Sequence, residues 1–336
     1  MKTTRSLALI AVLAAAAVAA SFVGCSGQSG GGKNVLKVAS VLPAEHPSSK
    51  ALEFFQQRVK ELSNGAMEVQ LFLNSQLGNN EETLDSCRIG NTAMIYSSIT
   101  PLATYNEVLH ALSMPFLFRD AKHQHAVADG PVGGEIKAEI AKTGLVCLAF
   151  FDAGSRSLMT KKGPIRTPDD VKGLKIRVMP SPVMMATINA FGASAIGMNQ
   201  GEVYSALQTG VLDGWENNLS TTLSFRMYET GCKYLAWTRH LAIPDLLLIN
   251  KAWYEGLTAE QRGVIDQAAK ETQAKQRELW AADETAALET CKKAGMEFNE
   301  PDAAAFRATT TAIYEDNYKK RPAGFKKLCE DIKGVQ

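Results

Sequence analysis

Residues 35–42, VLKVASVL, alternate in the manner of a strand, and residues 48–62 then place Leu52, Phe55, Val59 and Leu62 on one helical face before Gly65. Met67, Val69, Leu71 and Leu73 alternate again. A strand, helix and strand in succession predict a parallel crossover and hence a doubly wound α/β sheet. The rhythm continues with a helix near 81–89, a strand at 93–96, a helix near 132–142 and a strand at 145–151, which together predict one lobe. A second begins at Thr167-Pro168-Asp169-Asp170, a threonine cap followed by proline and an acid at the third helical position, closed by Gly173. A strand at 174–178, a helix from Pro182 to near Gly192 and a helix over 202–209 stopped by Gly210 complete it. Thr258-Ala259-Glu260-Gln261 then reads as a capping box opening a helical run to Ala294, interrupted only by Gly263 and followed by Gly295. Unbroken, that run spans on the order of 50 Å and braces both lobes; a break near its middle fits the pattern equally well.

Ahead of this pattern lies a segment of another kind. Lys2 and Arg5 precede an apolar run over 7–20, and Phe22-Val23-Gly24-Cys25 follows, the layout of a secretory signal rather than of a transmembrane span. Val-Gly-Cys resembles the lipobox of bacterial lipoproteins, with Phe22 where leucine is usual, so residues 1–25 are expected to be a lipoprotein signal with Cys25 the lipidation site. The Ser- and Gly-rich residues 26–33 read as a flexible tether.

Composition narrows the function by exclusion. The 336 residues carry 36 Lys and Arg against 35 Asp and Glu, a formal charge of +1, which provides no field for nucleic acid. Besides Cys25, the cysteines at 87, 147, 232, 291 and 329 show no CxxC spacing, so they are expected to be small buried hydrophobes, with Cys291 and Cys329 the one pair worth testing as a disulfide. No P-loop, GxGxxG, HExxH or GxSxG string occurs, and no cofactor is expected. His123 and His125 form an HxH pair that a helix would send to nearly opposite sides, and both are expected at the surface. Arg156 follows an apolar strand at its carboxyl end, where open α/β sheets hold ligands, and alternation sends Arg177 to the face opposite Leu174, Ile176 and Val178. Taken alone, either arginine is more often solvated or paired with an acid.

Longer strings supply what the local pattern lacks. Gln76-Leu77-Gly78, MPFLFR at 114–119, GPVG at 130–133, VKGLKIRVMPSP at 171–182, GEVYSALQTGVLDGWENN at 201–218 and LLLINKAWYEGL at 246–257 occur in order along the mature chain, which resembles the DctP family of TRAP transporter solute-binding proteins. The resemblance implies a two-lobed periplasmic binding protein with hinge strands, lobe I over 34–153 and 244–283 and lobe II over 154–243 and 284–336. It implies capture of a small organic acid and delivery to the small and large subunits of a membrane permease, with no catalysis and contact with the membrane only through the lipid anchor. A receptor that reports solute to a membrane kinase would use the same fold.

Residue by residue, Arg177 matches the family's carboxylate-clamping arginine, Arg156 a second arginine that often reaches the ligand, and Asn217 the binding asparagine. His46, Asn80, Glu81, Ser97 and Ser98 fall in first-lobe loops that line the cleft in the family, and Met179, Ser181 and Gln200 flank the arginine strand. Trp215 offers either a ring for a sugar face or a core residue, and His240 lies by the hinge. Sialate-binding relatives carry glutamate at the position of Ser98 and phenylalanine at that of Gln200, which argues against sialate here. A polar complement of His46, Ser97, Ser98, Gln200, Asn217 and Asn218 around a carboxylate clamp suits a sugar acid such as a hexuronate, because each buried ligand hydroxyl needs a partner. A C4-dicarboxylate or keto acid is the competing ligand, with Arg156 and Arg177 as paired charges.

Overall fold

The structure is a computed structural model that describes residues 34–336; the expected signal, tether and Cys25 lie outside the described residues. In chain order the first strands and helices are β1 (Asn34–Ala39), α1 (Pro47–Leu62), β2 (Met67–Phe72), α2 (Asn80–Arg88), β3 (Met94–Ser98), α3 (Ala121–Asp129), α4 (Pro131–Ala141) and β4 (Leu145–Phe151). There follow β5 (Arg156–Thr160), β6 (Lys175–Val178), α5 (Pro182–Ala190), β7 (Ser194–Gly197), α6 (Gln200–Gln208), β8 (Gly214–Asn217), α7 (Leu219–Ser224) and β9 (Tyr234–Leu241). The chain ends with β10 (Asp245–Asn250), α8 (Lys251–Gly256), α9 (Ala259–Lys293), β11 (Glu297–Asn299), α10 (Ala303–Thr309), α11 (Thr311–Lys320) and α12 (Ala323–Gly334).

The strands form two sheets, one ordered β2-β1-β3-β10-β4 and the other β11-β9-β5-β8-β6-β7. The chain passes from the first to the second between Phe151 and Arg156, and returns between Leu241 and Asp245. Parallel pairs occur as expected, β1 with β3 and β6 with both β7 and β8. Neither sheet is purely parallel, however. On its return the chain runs in the opposite sense, so β10 is antiparallel to both neighbours, and β5 likewise pairs antiparallel with β8 and β9. Two crossings joined through adjacent strands make a hinge-type connection between α/β layers.

β10 shows how a strand buried on both faces serves two cores. Leu246 and Leu248 join a cluster with Ile95, Leu112 and Ile136, while Leu247 and Ile249 face a second with Leu36, Phe55 and Ile265. On α1, the positions predicted from helical spacing, Leu52, Phe55 and Val59, are fully buried, each worth roughly 1.5–3 kcal/mol of transfer free energy.

α9 is unbroken over 35 residues, and its capping box forms between Thr258 and Gln261. Ile265, Ala268 and Ala269 pack into the cluster under the first sheet, and Ala287 and Cys291 into the cluster under the second. Between them, Gln276 binds the first crossing as a strand neighbour would: its side-chain oxygen accepts from Asp152 N at 2.9 Å and its NH2 donates to Asp152 O at 2.8 Å. The last helix, α12, packs on α4 and on the turn Glu107–Ser113, elements that belong with the first sheet.

Two sequence expectations change. His123 is buried rather than exposed: Nδ1 accepts from Arg119 N at 3.1 Å, and Nε2 lies 2.9 Å from Ile332 O, which ties α3 to the C-terminal helix. His125 pairs with Asp152 at 2.7 Å. The five described cysteines are buried and free, with Cys291 and Cys329 in different clusters, so this pair forms no bridge.

Gly214 is where the second sheet tolerates no side chain. A Cβ there would lie 2.3 Å from Met159 O and 2.9 Å from Ile176 Cδ1. Gly214→Ala forces β8 away from β5, so the melting temperature is expected to fall by several degrees, in line with about 1–3 kcal/mol for overpacking. Differential scanning calorimetry reads this directly.

Candidate ligand-binding site

A cleft lies between the two sheets, at the carboxyl ends of β1, β3, β6 and β8 and the amino ends of the antiparallel β5 and β10. From the first sheet side it is lined by Val41, Leu42, His46, Asn80, Tyr96, Ser98 and Asp245, and from the second by Arg156, Arg177, Met179, Gln200, Asn217, Asn218 and Thr221. Nine of the fourteen residues singled out in the sequence therefore share one cavity: His46, Asn80, Ser98, Arg156, Arg177, Met179, Gln200, Asn217 and Asn218.

Arg177 stands on β6, 2 % exposed. Its Nε donates to Met198 O at 2.8 Å and Nη1 reaches Gln200 Oε1 at 3.3 Å, while no acceptor among the described residues takes Nη2. A carbonyl and an amide bring no negative charge. Burial, with the positive Arg156 nearby, pushes the guanidinium down to about 9 despite opposing acids at Glu216, Glu81 and Glu202. The free edge of the fork suits a carboxylate, which could take two parallel hydrogen bonds and restore the missing countercharge.

Arg156 differs in kind. Nε and Nη2 form a fork on Glu216 at 2.7 and 2.8 Å, Nη2 also donates to Glu216 O at 2.9 Å, and Nη1 donates to Asn217 Oδ1 at 2.8 Å. Its charge is already matched. The buried Glu216 carboxyl, which desolvation alone would raise, is held down at about 2 by Arg156 and by His240. Asn217 Oδ1 also accepts from Asn218 N at 2.9 Å, so the amide is fixed with its NH2 as the unclaimed donor. Arg156 thus orients Asn217 rather than standing as a second free cation.

His46 caps α1, its Nδ1 accepting from Ser48 N at 3.1 Å. Nε2 must then carry the proton, and it donates across the cleft to Thr221 Oγ1 at 3.3 Å. Burial and Lys50 lower the ring to about 3, so this contact between the walls involves a neutral histidine.

Five predicted residues fall elsewhere. Trp215 is fully buried in the cluster beneath β8, one pleat below Asn217, which reaches the cleft at the strand's end. His240 is fully buried, 2.8 Å from Thr238 Oγ1 and 3.5 Å from Glu216 Oε2, behind the wall. Ser97 points off β3 away from the cavity, since Ser98 is the neighbour that lines it, and its hydroxyl donates to Ser98 O. Ser181 caps α5 through Met184 N. Glu81 stands back in the first turn of α2, near enough to act on the Arg177 charge but outside the cavity wall.

Sequence reading missed Glu216, Tyr96, Thr221 and Asp245. Glu216 had a signal: an arginine buried at a strand start needs an acid, and the WENN string offers one. Asp245 had a weaker one, a single acid at the head of the apolar strand LLLI immediately after Pro244. Among the described residues no His, Cys, Asp and Glu cluster is arranged to hold a metal ion, and no helix is long and apolar enough to cross a membrane.

Known proteins share this architecture. A TRAP periplasmic solute-binding protein from Chromohalobacter salexigens, solved with bound D-glucuronate, superposes with a TM-score of 0.87 at 33% identity, covering 90% of this chain and 100% of that one. One from Xanthobacter autotrophicus, solved with bound β-D-galacturonate, gives a TM-score of 0.85 at 36% identity, over 90% of this chain and 100% of that one. The 2,3-diketo-L-gulonate-binding periplasmic protein of Escherichia coli is 36% identical over 247 residues, 74% of this chain and 75% of that protein. Residues 38–321 match the DctP family, described as bacterial extracellular solute-binding protein, family 7. With a two-sheet frame, a buried arginine without an acid partner in the cleft and these matches over most of its length, the chain belongs to the DctP family of extracytoplasmic solute-binding proteins, receptors for small acids that serve membrane permeases and are not enzymes.

Proposed function

We propose that this receptor captures a hexuronate or closely related sugar acid, clamping its carboxylate on Arg177 and delivering it to the small and large subunits of a TRAP permease. The observation that carries this reading is a buried guanidinium in the cleft that, among the described residues, has an unbonded nitrogen and no carboxylate within hydrogen-bonding reach. Around it, the Asn217 amide and the Ser98, Tyr96 and Thr221 hydroxyls offer the polar partners that a polyhydroxylated ring needs. The similar proteins solved with glucuronate and galacturonate support the same ligand class.

In the working cycle, residues 34–153 with 244–283 act as one lobe and residues 154–243 with 284–336 as the other, α12 resting on the first. Acid binds first to Arg177 on the second lobe. Closure then brings Asn80, Ser98 and the His46–Thr221 contact onto the ligand, so binding free energy shifts a hinge equilibrium. Residues 1–25 serve as a signal whose Cys25 takes the lipid anchor, with 26–33 as the tether. Isothermal titration of the purified chain is expected to give saturable binding of D-glucuronate or D-galacturonate, with succinate and malate far weaker. Tight succinate or malate binding without response to either uronate would end the sugar-acid reading.

A further inference from the structure

We infer that Asp245 is the residue by which this cleft selects hydroxylated monocarboxylates over dicarboxylates, its carboxylate accepting hydrogen bonds from ligand hydroxyls on the wall opposite Arg177. This deepens the sugar-acid reading and rests on it. Among the described residues lining the cleft, Asp245 is the only one with a carboxyl side chain. It heads β10 in the first sheet, in register with Ser98 of β3 and Phe151 of β4, whereas Arg177 stands on β6 in the second. The cavity therefore has a basic end and an acidic end on opposing walls.

The carboxylate is positioned rather than spent. Tyr96 donates its hydroxyl to Oδ2 at 2.5 Å, and Tyr96 is itself packed against Phe151. Among the described residues no basic side chain forms an ion pair with Asp245; Arg156, the arginine acting on its charge, is forked onto Glu216. The Ser98 hydroxyl also faces this carboxyl, and the lone pairs beyond these two neutral donors are left for the ligand, since an ionised carboxylate can only accept. A sugar hydroxyl meets that requirement. A second ligand carboxylate does not, because two anions brought together out of water cannot both stay ionised without cost. The same group thus rewards a hydroxyl and penalises a carboxylate, the two elements of discrimination between related ligands.

Burial raises the Asp245 carboxyl to about 6, against the lowering effects of Tyr96 on β3, Arg156 on β5 and the Ser98 hydroxyl. Two more groups share the cavity: Arg177 on β6, the cation of the opposite wall, and His46 at the head of α1, neutral because its ring is lowered to about 3. The acid is ionised at pH 7, and hydroxyls donating to it favour that form further. Sugar-acid affinity should therefore weaken as pH falls from 7 through about 6.

The test is calorimetry of D-glucuronate and succinate on the wild-type chain and on Asp245→Asn, at pH 7 and pH 5. Asp245→Asn keeps the shape and is expected to weaken glucuronate about ten-fold or more at pH 7, to strengthen succinate relative to glucuronate, and to flatten the pH dependence. Tyr96→Phe keeps the carboxylate but removes its donor, so the midpoint of the pH dependence should move upward; this variant carries the test if Asp245→Asn fails to fold. Unchanged glucuronate affinity in Asp245→Asn, or a midpoint unmoved in Tyr96→Phe, overturns the inference while leaving uronate capture intact. A wild-type chain that binds succinate and no uronate overturns the function reading itself.

Discussion

Arg177→Ala is expected to lose two or more orders of magnitude in affinity for the acid ligand while the unliganded chain stays folded. Removing one partner of a desolvated charge pair costs about 3–5 kcal/mol, and each 1.4 kcal/mol is about ten-fold in Kd. Without ligand, Arg177 pairs with no acid among the described residues and donates there only to Met198 O and Gln200 Oε1, so its loss orphans no buried anion. Arg177→Lys should fail nearly as badly, since an ammonium cannot span two carboxylate oxygens. Titration calorimetry reads affinity and circular dichroism reads the fold. Retained binding in Arg177→Ala would show that the carboxylate sits elsewhere.

Glu216→Ala is expected to act the other way, on the fold more than on the ligand. It leaves Arg156 charged and buried with no carboxylate partner, held only by Asn217 Oδ1 and the backbone carbonyl of residue 216, again about 3–5 kcal/mol, which lowers the melting temperature by roughly 10 °C. Ligand affinity falls second, through the loosened Asn217. The pH dependence follows from the carboxyl, which titrates at about 2 in the folded chain against 4.5 as its ordinary value. A depressed folded value contributes stability that is complete above about pH 4.5 and lost as pH falls toward about 2. Thermal melts between pH 2 and pH 7 should show this loss in the wild type and a shallower one in Glu216→Gln.

Much of this framework could be read directly from residue patterns. The spacing of Leu52, Phe55 and Val59, the alternation of Met67 and Val69, and the Thr258 capping box each produced the element they predict, because local propensity and burial agree there. The sense of the strands was not legible. Whether β10 runs with or against β3 depends on a chain that has left for the second sheet and returned, which no local pattern encodes. Within the site, single-residue alternation decided the outcome. One step along β3 separates Ser98 on the wall from Ser97 behind it, and one step along β8 separates Trp215 in the core from Glu216 on Arg156. Resemblance to a family identifies the segment, but only the register of the strand says which of two neighbours faces the cavity.

The five described thiols all lie inside the fold, and burial pushes Cys87, Cys147, Cys232 and Cys329 to about 12 and Cys291 to about 11. Held as neutral S–H groups, they offer no thiolate to attack another sulfur. Through these five sulfurs the native receptor therefore does not cross-link to its neighbours in an oxidising space. The hazard belongs to the unfolded polypeptide, whose sulfurs are bare until collapse hides them, so folding itself serves as the antioxidant protection of these five positions.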